Sequence, residues 1–243
     1  MIVLAIDTSS DQFGVALVSD TQVLASYEVL AQRPHAVELP QAVSRVLQAG
    51  RTSLSQIDGI ALDIGPGSFT GLRVGVAFVK ALVFQSRRPV VGIASLDVLA
   101  SQMPCATARM CPILDAKQRK VYTASYEMVD GQLTKRTQPT LVVFEAWLPA
   151  LDQQPTMFLG DGVALYRERL RERLGAAAIF AAPEFWLPRA ATLGRLGLAR
   201  LAAGSIDDPS TLVPLYLYPM DCTVRSAIPL SGSPTISASR GPF

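Results

Sequence analysis

The sequence is poor in the residues on which many metal and hydrolytic sites are built. It has a single histidine, His35, so a metal site that needs two histidines is excluded within this chain. A Ser-His-Asp relay would have to use the same histidine, and no nucleophile elbow lies near it in the sequence. The residues therefore argue against peptidase activity, and we expect neither a metal ligand set nor a catalytic residue here.

Charged residues and cysteines are also scarce. Charged residues make up 17% of the 243 residues, against about 25% in average domains. This shortage indicates a large core or an apolar surface that a partner covers. The formal charge of +2 does not by itself indicate nucleic-acid binding. Three irregularly spaced cysteines do not make a disulfide framework, so we expect a cytoplasmic protein.

Long apolar runs are absent as well. No stretch of 18 apolar residues is free of charge or of Pro and Gly, which predicts a protein with no membrane span. The first ten residues, MIVLAIDTSS, lack a basic region and reach Asp7 early, which favours a strand over a signal peptide. The length allows one large domain, or two of about 100–120 residues.

The most informative stretch is residues 58–82, DGIALDIGPGSFTGLRVGVAFVKAL, which predicts a strand, a turn and a helix. Gly-Pro-Gly at residues 65–67 makes the corner, and the helix is predicted over residues 71–84. Only Arg73 and Lys80 carry charge on this helix, which predicts burial on more than one side. The second cover is either another helix of this chain or a partner protein. The turn matches neither the Walker nor the dinucleotide pattern, so packing or an interface is favoured over phosphate binding.

A pattern of strands recurs in the two halves of the chain. Residues 2–6 form an apolar strand that ends at Asp7, and residues 112–114 form another that ends at Asp115, 108 residues later. Each is followed by a polar turn and alternating strands, then by helix, strand and helix. The first helix is predicted over His35–Ala49, and residues 142–151 are predicted to be helical in the second half. This order predicts an α/β protein of two duplicated halves that face each other across a cleft.

The strand ends around that cleft carry the candidate nucleotide site. Ligands of open α/β sheets bind beyond the carboxyl ends of the strands. The residues that meet this condition are Asp7, Thr8, Ser9, Asp115, Gly160, Asp161 and Gly162. A turn of this composition can hold phosphate through its backbone N–H groups. Ordinary turn chemistry explains the same residues equally well, so both interpretations stay open at this point.

Two other features favour structural roles. The helix that ends at residue 174 has charges of alternating sign at residues 167–173, which indicates a solvated face first and an RNA-binding face second. Lys117, Arg119 and Lys120 would extend such an RNA-binding face. From residue 226 onward the chain is rich in Ser, Pro and Gly, which predicts a disordered tail. The predicted domains are therefore 1–104, 105–225 and the tail 226–243.

Three segments resemble the bacterial TsaB family, also called YeaZ. They are LAIDTSSDQFGVAL at the start, DGIALDIGPGSFTGLRVGVAFVKAL in the middle and LDAKQRKVY at the opening of the second half. The segment PLYLYPMDC near the end is a weaker match. The middle segment is the specific one, and together the segments cover the chain to about Cys222.

The resemblance implies the actin-like ATPase superfamily fold, with two duplicated ribonuclease-H-like halves. It implies a role beside a TsaD-like transferase, which modifies adenosine 37 of tRNAs that read ANN codons to N6-threonylcarbamoyladenosine. TsaD-like proteins carry a paired-histidine metal motif, and at this place the chain has only His35, followed by Glu38, Leu39 and Pro40. The resemblance therefore implies a non-catalytic scaffold subunit. TsaE-like ATPase would be a further partner, and tRNA would be met indirectly, through the complex.

In the family, the first two helices form the contact with the partner. Here these are His35–Ala49 and residues 71–84. The interface residues implied by this correspondence are His35, Leu39, Val43, Leu72, Val76 and Val79. Charge at Leu72, Val76 or Val79 is then expected to break the complex without unfolding the chain. An exposed apolar helix pair can also form a homodimer when the partner is absent.

A second hypothesis belongs to a different class of function. The actin-like fold also supports ATP-dependent phosphotransferases and ATPases, which here would use Asp7 and Asp115 on Mg-ATP. No tightly bound cofactor is expected under the scaffold hypothesis, with ATP and Mg²⁺ left as ligands of the cleft or of the partner interface. Fold alone does not decide between the two hypotheses.

Overall fold

The computed structural model describes residues 1–30, 35–103 and 109–218. The strands of the first sheet are β1 (Ile2–Asp7), β2 (Gln12–Ser19), β3 (Val23–Leu30), β4 (Gly59–Gly65) and β5 (Val90–Ala94). Their order across the sheet is β3-β2-β1-β4-β5. Strands β1 to β3 form an antiparallel meander, while β4 and β5 run parallel to β1. The sequence prediction of a three-strand meander at the start of the chain is confirmed.

The helices of the first half of the described chain are α1 (His35–Ala49), α2 (Phe69–Ser86) and α3 (Ser95–Ser101). Leu4 and Ile6 of β1 share a core with Leu39 of α1 and Val79 of α2, so α1 and α2 cover the same face of the sheet. The side chain of Ser68 accepts a hydrogen bond from the backbone N–H of Gly71 at 3.2 Å and so caps the first turn of α2.

The second sheet begins after the undescribed residues 104–108. Its strands are β6 (Arg109–Asp115), β7 (Lys120–Thr123), β8 (Tyr126–Val129), β9 (Gln132–Lys135), β10 (Thr140–Val143), β11 (Thr156–Leu159) and β12 (Ala178–Phe180). Its helices are α4 (Phe144–Trp147) and α5 (Gly162–Leu174), and the last helix of the described chain is α6 (Ala190–Ala202). The main order is β10-β7-β6-β11-β12, with β8 and β9 as a side hairpin.

The two sheets repeat one topology. In each, the first strand lies in the centre, antiparallel strands follow on one side, and two parallel strands follow on the other. Strand β6 takes the position of β1, so Asp115 corresponds to Asp7, as the 108-residue repeat predicts. The predicted fold, an actin-like ATPase fold of two duplicated ribonuclease-H-like halves, is confirmed.

One predicted element is wrong. Residues 142–151 were expected to form a helix, but Val142 and Val143 belong to β10, and the helix that follows is only α4. Val142 pairs with Val121 of β7, and pairing along a sheet suits β-branched side chains better than a helix does.

The chain returns to the first sheet after β12. Leu193 and Leu201 of α6 pack with Val3 and Ala5 on the face opposite α1 and α2. Residues 205–218 then run beside α2, where Leu212 is buried and the N–H of Leu215 donates to the carbonyl oxygen of Ile64 at 2.7 Å. The domain limits 1–104 and 105–225 stay a prediction, and the tail 226–243 lies outside the described residues.

Helix α2 also bears on the expectation that the chain has no membrane span. Its 18 residues are apolar enough to cross a membrane by length and composition. Core helices of soluble proteins meet the same criterion, and the face of α2 that carries Leu72, Val76 and Val79 is buried inside this chain. This single helix is therefore weak evidence for a membrane span.

Candidate functional site

The turn after β1 is tied to the start of α2. Asp7, Thr8 and Ser9 are 2%, 0% and 4% exposed. The Thr8 hydroxyl donates to the carbonyl oxygen of Gly71 at 2.8 Å, and the backbone N–H of Ser68 donates to the carbonyl oxygen of Ser9 at 2.6 Å. The backbone N–H of Ser9 donates to Asp7 Oδ1 at 2.8 Å. The structure brings these three predicted site residues together, and several of their donor and acceptor groups are already hydrogen-bonded within the chain.

A second buried carboxyl, which the sequence reasoning missed, belongs to Asp63 near the end of β4. It is fully buried, and its Oδ1 accepts hydrogen bonds from the backbone N–H of Gly65 at 2.8 Å and from the Ser95 hydroxyl at 2.6 Å. Burial raises the pKa of Asp7 to about 6, and burial with the nearby charge of Asp7 raises the pKa of Asp63 well above its ordinary value. The available signal was a charged residue inside an otherwise apolar strand.

The corresponding turn of the second half is more open. Asp115 ends β6, and its Oδ2 forms an ion pair with Lys117 Nζ at 2.7 Å. The backbone N–H of Asp115 donates to Asp161 Oδ1 at 2.8 Å, so these two predicted residues lie together. The hydrogen bond to Asp115 is the main cause of the raised pKa of Lys117, with smaller contributions from Asp161 and Asp11. Since Asp11 follows β1 and Lys117 follows β6, this electrostatic contact links the two turns.

The glycines of the second turn serve close packing. A Cβ atom built on Gly160 would lie 2.2 Å from the carbonyl oxygen of Ile113, and one built on Gly162 would lie 2.9 Å from the same oxygen. Gly160 also has a φ of +103°, which favours glycine. The turn at residues 160–162 therefore packs directly against the backbone of β6. In the part of the chain that the structure describes, no three His, Cys, Asp or Glu side chains are grouped so that they could hold a metal ion.

The residues implied for the partner interface lie inside the chain. The five whose side chains are described are buried, between 0% and 7% exposed, and they are Leu39, Val43, Leu72, Val76 and Val79. His35 is the first residue of α1, and its side chain is not described. The expectation that charge at Leu72, Val76 or Val79 would leave the fold intact is wrong, because Val76 and Val79 belong to the core beneath α2 and Leu72 is 1% exposed. The assignment of the two helices to an interface stays a prediction.

A different face of α2 is open to a partner. We call it the outer stripe, and its residues are Val74, Ala77, Phe78, Ala81 and Phe84. Ala77, Ala81 and Phe84 are exposed, Phe84 by 74%, while Val74 and Phe78 are half-buried. The spacing of three and four residues places them on one side of the helix. The stripe contains no charged and no polar side chain.

The two charges of α2 are held by the segment that runs beside it. Arg73 Nε donates to the Tyr216 hydroxyl at 3.0 Å, and its guanidinium lies 3.7 Å from the centre of the Phe69 ring. Lys80 Nζ donates to the carbonyl oxygen of Ser210 at 3.1 Å. Both side chains thus contact residues 205–218. The sequence shows that α2 has more apolar residues than one buried face needs. Because Leu72, Val76 and Val79 are buried in the core, the outer stripe is the apolar side that remains exposed.

The basic side chains of α5 have partners of their own. Arg169 pairs with Glu145 and Glu172, and Arg171 pairs with Glu168. The Arg167 guanidinium lies 5.0 Å from the centre of the Phe180 ring. These contacts agree with the interpretation of α5 as a solvated face.

The duplicated halves, with a closed first turn and a more open second turn, have the architecture of the actin-like ATPase fold. A family model described as TsaD: tRNA N6-adenosine threonylcarbamoyltransferase matches residues 27–219. The chain is 32% identical to the tRNA threonylcarbamoyladenosine biosynthesis protein TsaB of Bacillus subtilis over 219 residues, which are 89% of this chain and 94% of that protein. The chain therefore belongs to the TsaB (YeaZ) family, as its motifs indicate.

Two further comparisons agree with this assignment. The TsaB protein of Escherichia coli is 34% identical over 129 residues, which are 52% of this chain and 55% of that protein. The solved structure of YeaZ from Pseudomonas aeruginosa is similar with a TM-score of 0.76 and 28% identity, covering 89% of this chain and 99% of that one.

Proposed function

We propose that this protein is a non-catalytic subunit of the complex that forms N6-threonylcarbamoyladenosine at position 37 of tRNAs that read ANN codons. It acts by forming a heterodimer with a TsaD-like transferase, and a TsaE-like ATPase is a further partner. It contacts tRNA only as part of this complex. The observation that carries this proposal is the outer stripe of α2, an uncharged apolar surface of which Ala77, Ala81 and Phe84 are exposed to solvent. A cytoplasmic location is part of the proposal.

The stripe has the composition of the central part of a protein interface. Such centres are depleted of charge and enriched in aromatic residues, and Phe78 and Phe84 are the aromatic members here. Helix α1 lies beside α2 and exposes Val37 by 56% near its start. A partner helix pair laid on α1 and α2 would bury both surfaces. Without the partner, two copies of the stripe can associate in the same way, which would give a homodimer.

The buried state of the first turn supports an accessory role. Asp7, Thr8 and Ser9 are hydrogen-bonded beneath the start of α2, so a phosphate reaching them would have to displace contacts of the chain itself. We therefore propose that the protein binds no nucleotide tightly on its own, and that ATP and Mg²⁺ act, if they contact it, at the more open turn or at the partner interface.

A reconstituted modification reaction tests this proposal. We expect tRNA threonylcarbamoylation by the TsaD-like and TsaE-like proteins to require this chain. We also expect the Asp115→Asn variant, in which the carboxylate of the open turn is neutralised, to support at least half of the wild-type rate. Full activity of the other subunits without this chain would contradict the proposal. Loss of activity in an Asp115→Asn variant that still binds the partner would show that the cleft of this chain takes part in catalysis.

The alternative, an ATPase or phosphotransferase, is favoured by one observation. The Asp115–Lys117 pair and Asp161 form a polar group at the open turn, where Lys117 is 84% exposed. Calorimetry of the isolated protein with Mg-ATP separates the two functions. Binding or turnover that is lost in Asp115→Asn would support the enzyme, whereas the accessory role predicts no measurable heat of binding.

A further inference from the structure

The carboxyl groups of Asp7 and Asp63 are neighbours by the register of the first sheet. Strands β1 and β4 are parallel, with Ala5 opposite Ala61 and Ile6 opposite Leu62. The next position in this register places Asp7 opposite Asp63. Side chains at paired positions of adjacent strands point to the same side of the sheet. Both side chains are buried, and the Ser9 hydroxyl lies near both carboxyl groups.

Among the described residues, no basic group acts on the carboxyl groups of Asp7 and Asp63. The groups that act on Asp63 are Asp7, the Ser95 and Ser9 hydroxyls and the backbone N–H of Gly65. The groups that act on Asp7 are the N–H and hydroxyl of Ser9 and, from β3, the carboxylate of Glu28, which adds negative charge.

The charged groups around Glu28 do not supply a positive charge to the Asp7–Asp63 pair. Burial raises the pKa of Glu28, while the backbone N–H of Ala190 and the charge of Arg189 act in the opposite direction. Two ionised carboxylates in one buried site repel each other and lose hydration, so one of the two is expected to hold a proton.

The hydrogen bonds show which oxygen atom is free to carry it. Asp63 Oδ1 already accepts two hydrogen bonds, from Gly65 and from Ser95. Asp63 Oδ2 is buried and has no hydrogen-bonding partner among the described residues. A buried polar atom without a partner requires an explanation. A proton on Oδ2 provides one, because a protonated carboxyl can donate a hydrogen bond to a neighbouring carboxylate.

We propose that Asp63 is a protonated carboxylic acid at neutral pH and that its Oδ2–H donates to Asp7, so that this acid pair fastens the ends of β1 and β4 to each other. The raised pKa of both groups agrees with this arrangement. The pair lies next to Thr8 and Ser9, which are hydrogen-bonded to the first residues of α2. The shared proton therefore helps to hold the turn after β1, to which the start of α2 is hydrogen-bonded. This inference does not rest on the proposed function.

Infrared spectroscopy of the intact chain detects the proton directly. A protonated carboxyl has a carbonyl stretching band that an ionised carboxylate lacks. We expect the wild-type protein to show this band at pH 7, and Asp63→Asn to lose it. Asp11→Asn, which changes an exposed aspartate of the same turn, should keep the band. Absence of the band from the folded wild-type protein at pH 7 would overturn the proposal.

Stability gives a second test with a defined sign. The unfolded chain ionises Asp63 above its ordinary pKa of 3.8, while the folded chain keeps the proton to higher pH. The wild-type protein therefore loses stability through this group as the pH rises from about 4 through the folded-state pKa. Asparagine keeps the Oδ1 acceptor and offers an N–H donor in place of the O–H.

Asp63→Asn should therefore raise the thermal midpoint relative to wild type by roughly 5 °C at pH 8, and by less at pH 5. An equal lowering at both pH values would contradict the proposal. If Asp63→Asn does not fold, Asp7→Asn replaces it, because removal of the other carboxylate should also flatten the pH dependence. An unchanged pH dependence in that variant would overturn the proposal.

Discussion

Replacing Ala77 by glutamate is expected to abolish binding to the TsaD-like partner while leaving the fold intact. Ala77 is exposed in the middle of the outer stripe of α2, between Val74 and Ala81. A glutamate there is solvated in the free protein, so its effect on stability should stay within about 0.5 kcal/mol. In the complex the same carboxylate would be buried against an apolar surface without a partner charge, which is costly. We expect binding to weaken by at least about 3 kcal/mol, which raises Kd by more than about a hundredfold, so that no complex forms at micromolar concentration.

The neighbouring residue supplies the matched control. Val76 is 7% exposed and packs into the core that α2 shares with the first sheet. Val76→Glu should therefore cost about 4 kcal/mol or more in the free energy of unfolding. The two variants introduce the same charge at adjacent positions, of which Val76 is buried and Ala77 is exposed. Thermal unfolding and calorimetric binding, measured on both, should separate a fold defect from a binding defect. If Ala77→Glu bound the partner with wild-type affinity, the assignment of α2 to the interface would be wrong.

A second large effect is expected where α2 meets the turn after β1. A Cβ atom on Gly75 would lie 2.3 Å from the Thr8 hydroxyl oxygen, closer than any real contact allows. Alanine is favoured over glycine in a helix by about 1 kcal/mol, but overpacking in a close contact costs about 1–3 kcal/mol. Thr8 is fully buried and its hydroxyl is held by Gly71, so it cannot turn away without losing that bond. Gly75→Ala should therefore destabilise the protein by about 2 kcal/mol.

A double-mutant cycle with Thr8→Ala tests this cause. Thr8→Ala removes the hydroxyl, and a Cβ on Gly75 would then lie 3.5 Å from the Cβ of residue 8, an ordinary contact. In this background Gly75→Ala should be neutral or stabilising, by up to about 1 kcal/mol, since only the helix preference remains. Urea unfolding of the four proteins measures the coupling. Additive effects would mean that the Thr8 hydroxyl is not what excludes a side chain at Gly75.

Much of the fold could be predicted because it rests on local patterns that occur twice. The apolar strands that end at Asp7 and Asp115 are followed by the same order of elements, and the structure places both strands at the centre of their sheets. The limits of α1 and the start of β4 follow from apolar spacing and glycine positions, which tertiary contacts do not override here. The family could be recognised because its specific motif lies in one continuous segment.

The sites were harder to predict because they depend on which side of an element meets the core. Helix α2 is apolar on nearly every side, so periodicity alone could not separate buried Val76 from exposed Ala77. Gly71 and Gly75 mark the side that approaches Thr8 closely, but the sequence alone does not show which element these glycines approach. Asp63 was missed for a related reason. Its importance comes from the register of β1 with β4, which joins residues 56 positions apart.

The most direct test of the account is size-exclusion chromatography with light scattering of this chain, alone and mixed with its TsaD-like partner. The account predicts a one-to-one complex with the wild-type chain at micromolar concentration and no complex with Ala77→Glu, although that variant elutes as a folded protein. Absence of a complex with the wild-type chain, or an equally stable complex with Ala77→Glu, would contradict the role assigned to the outer stripe of α2.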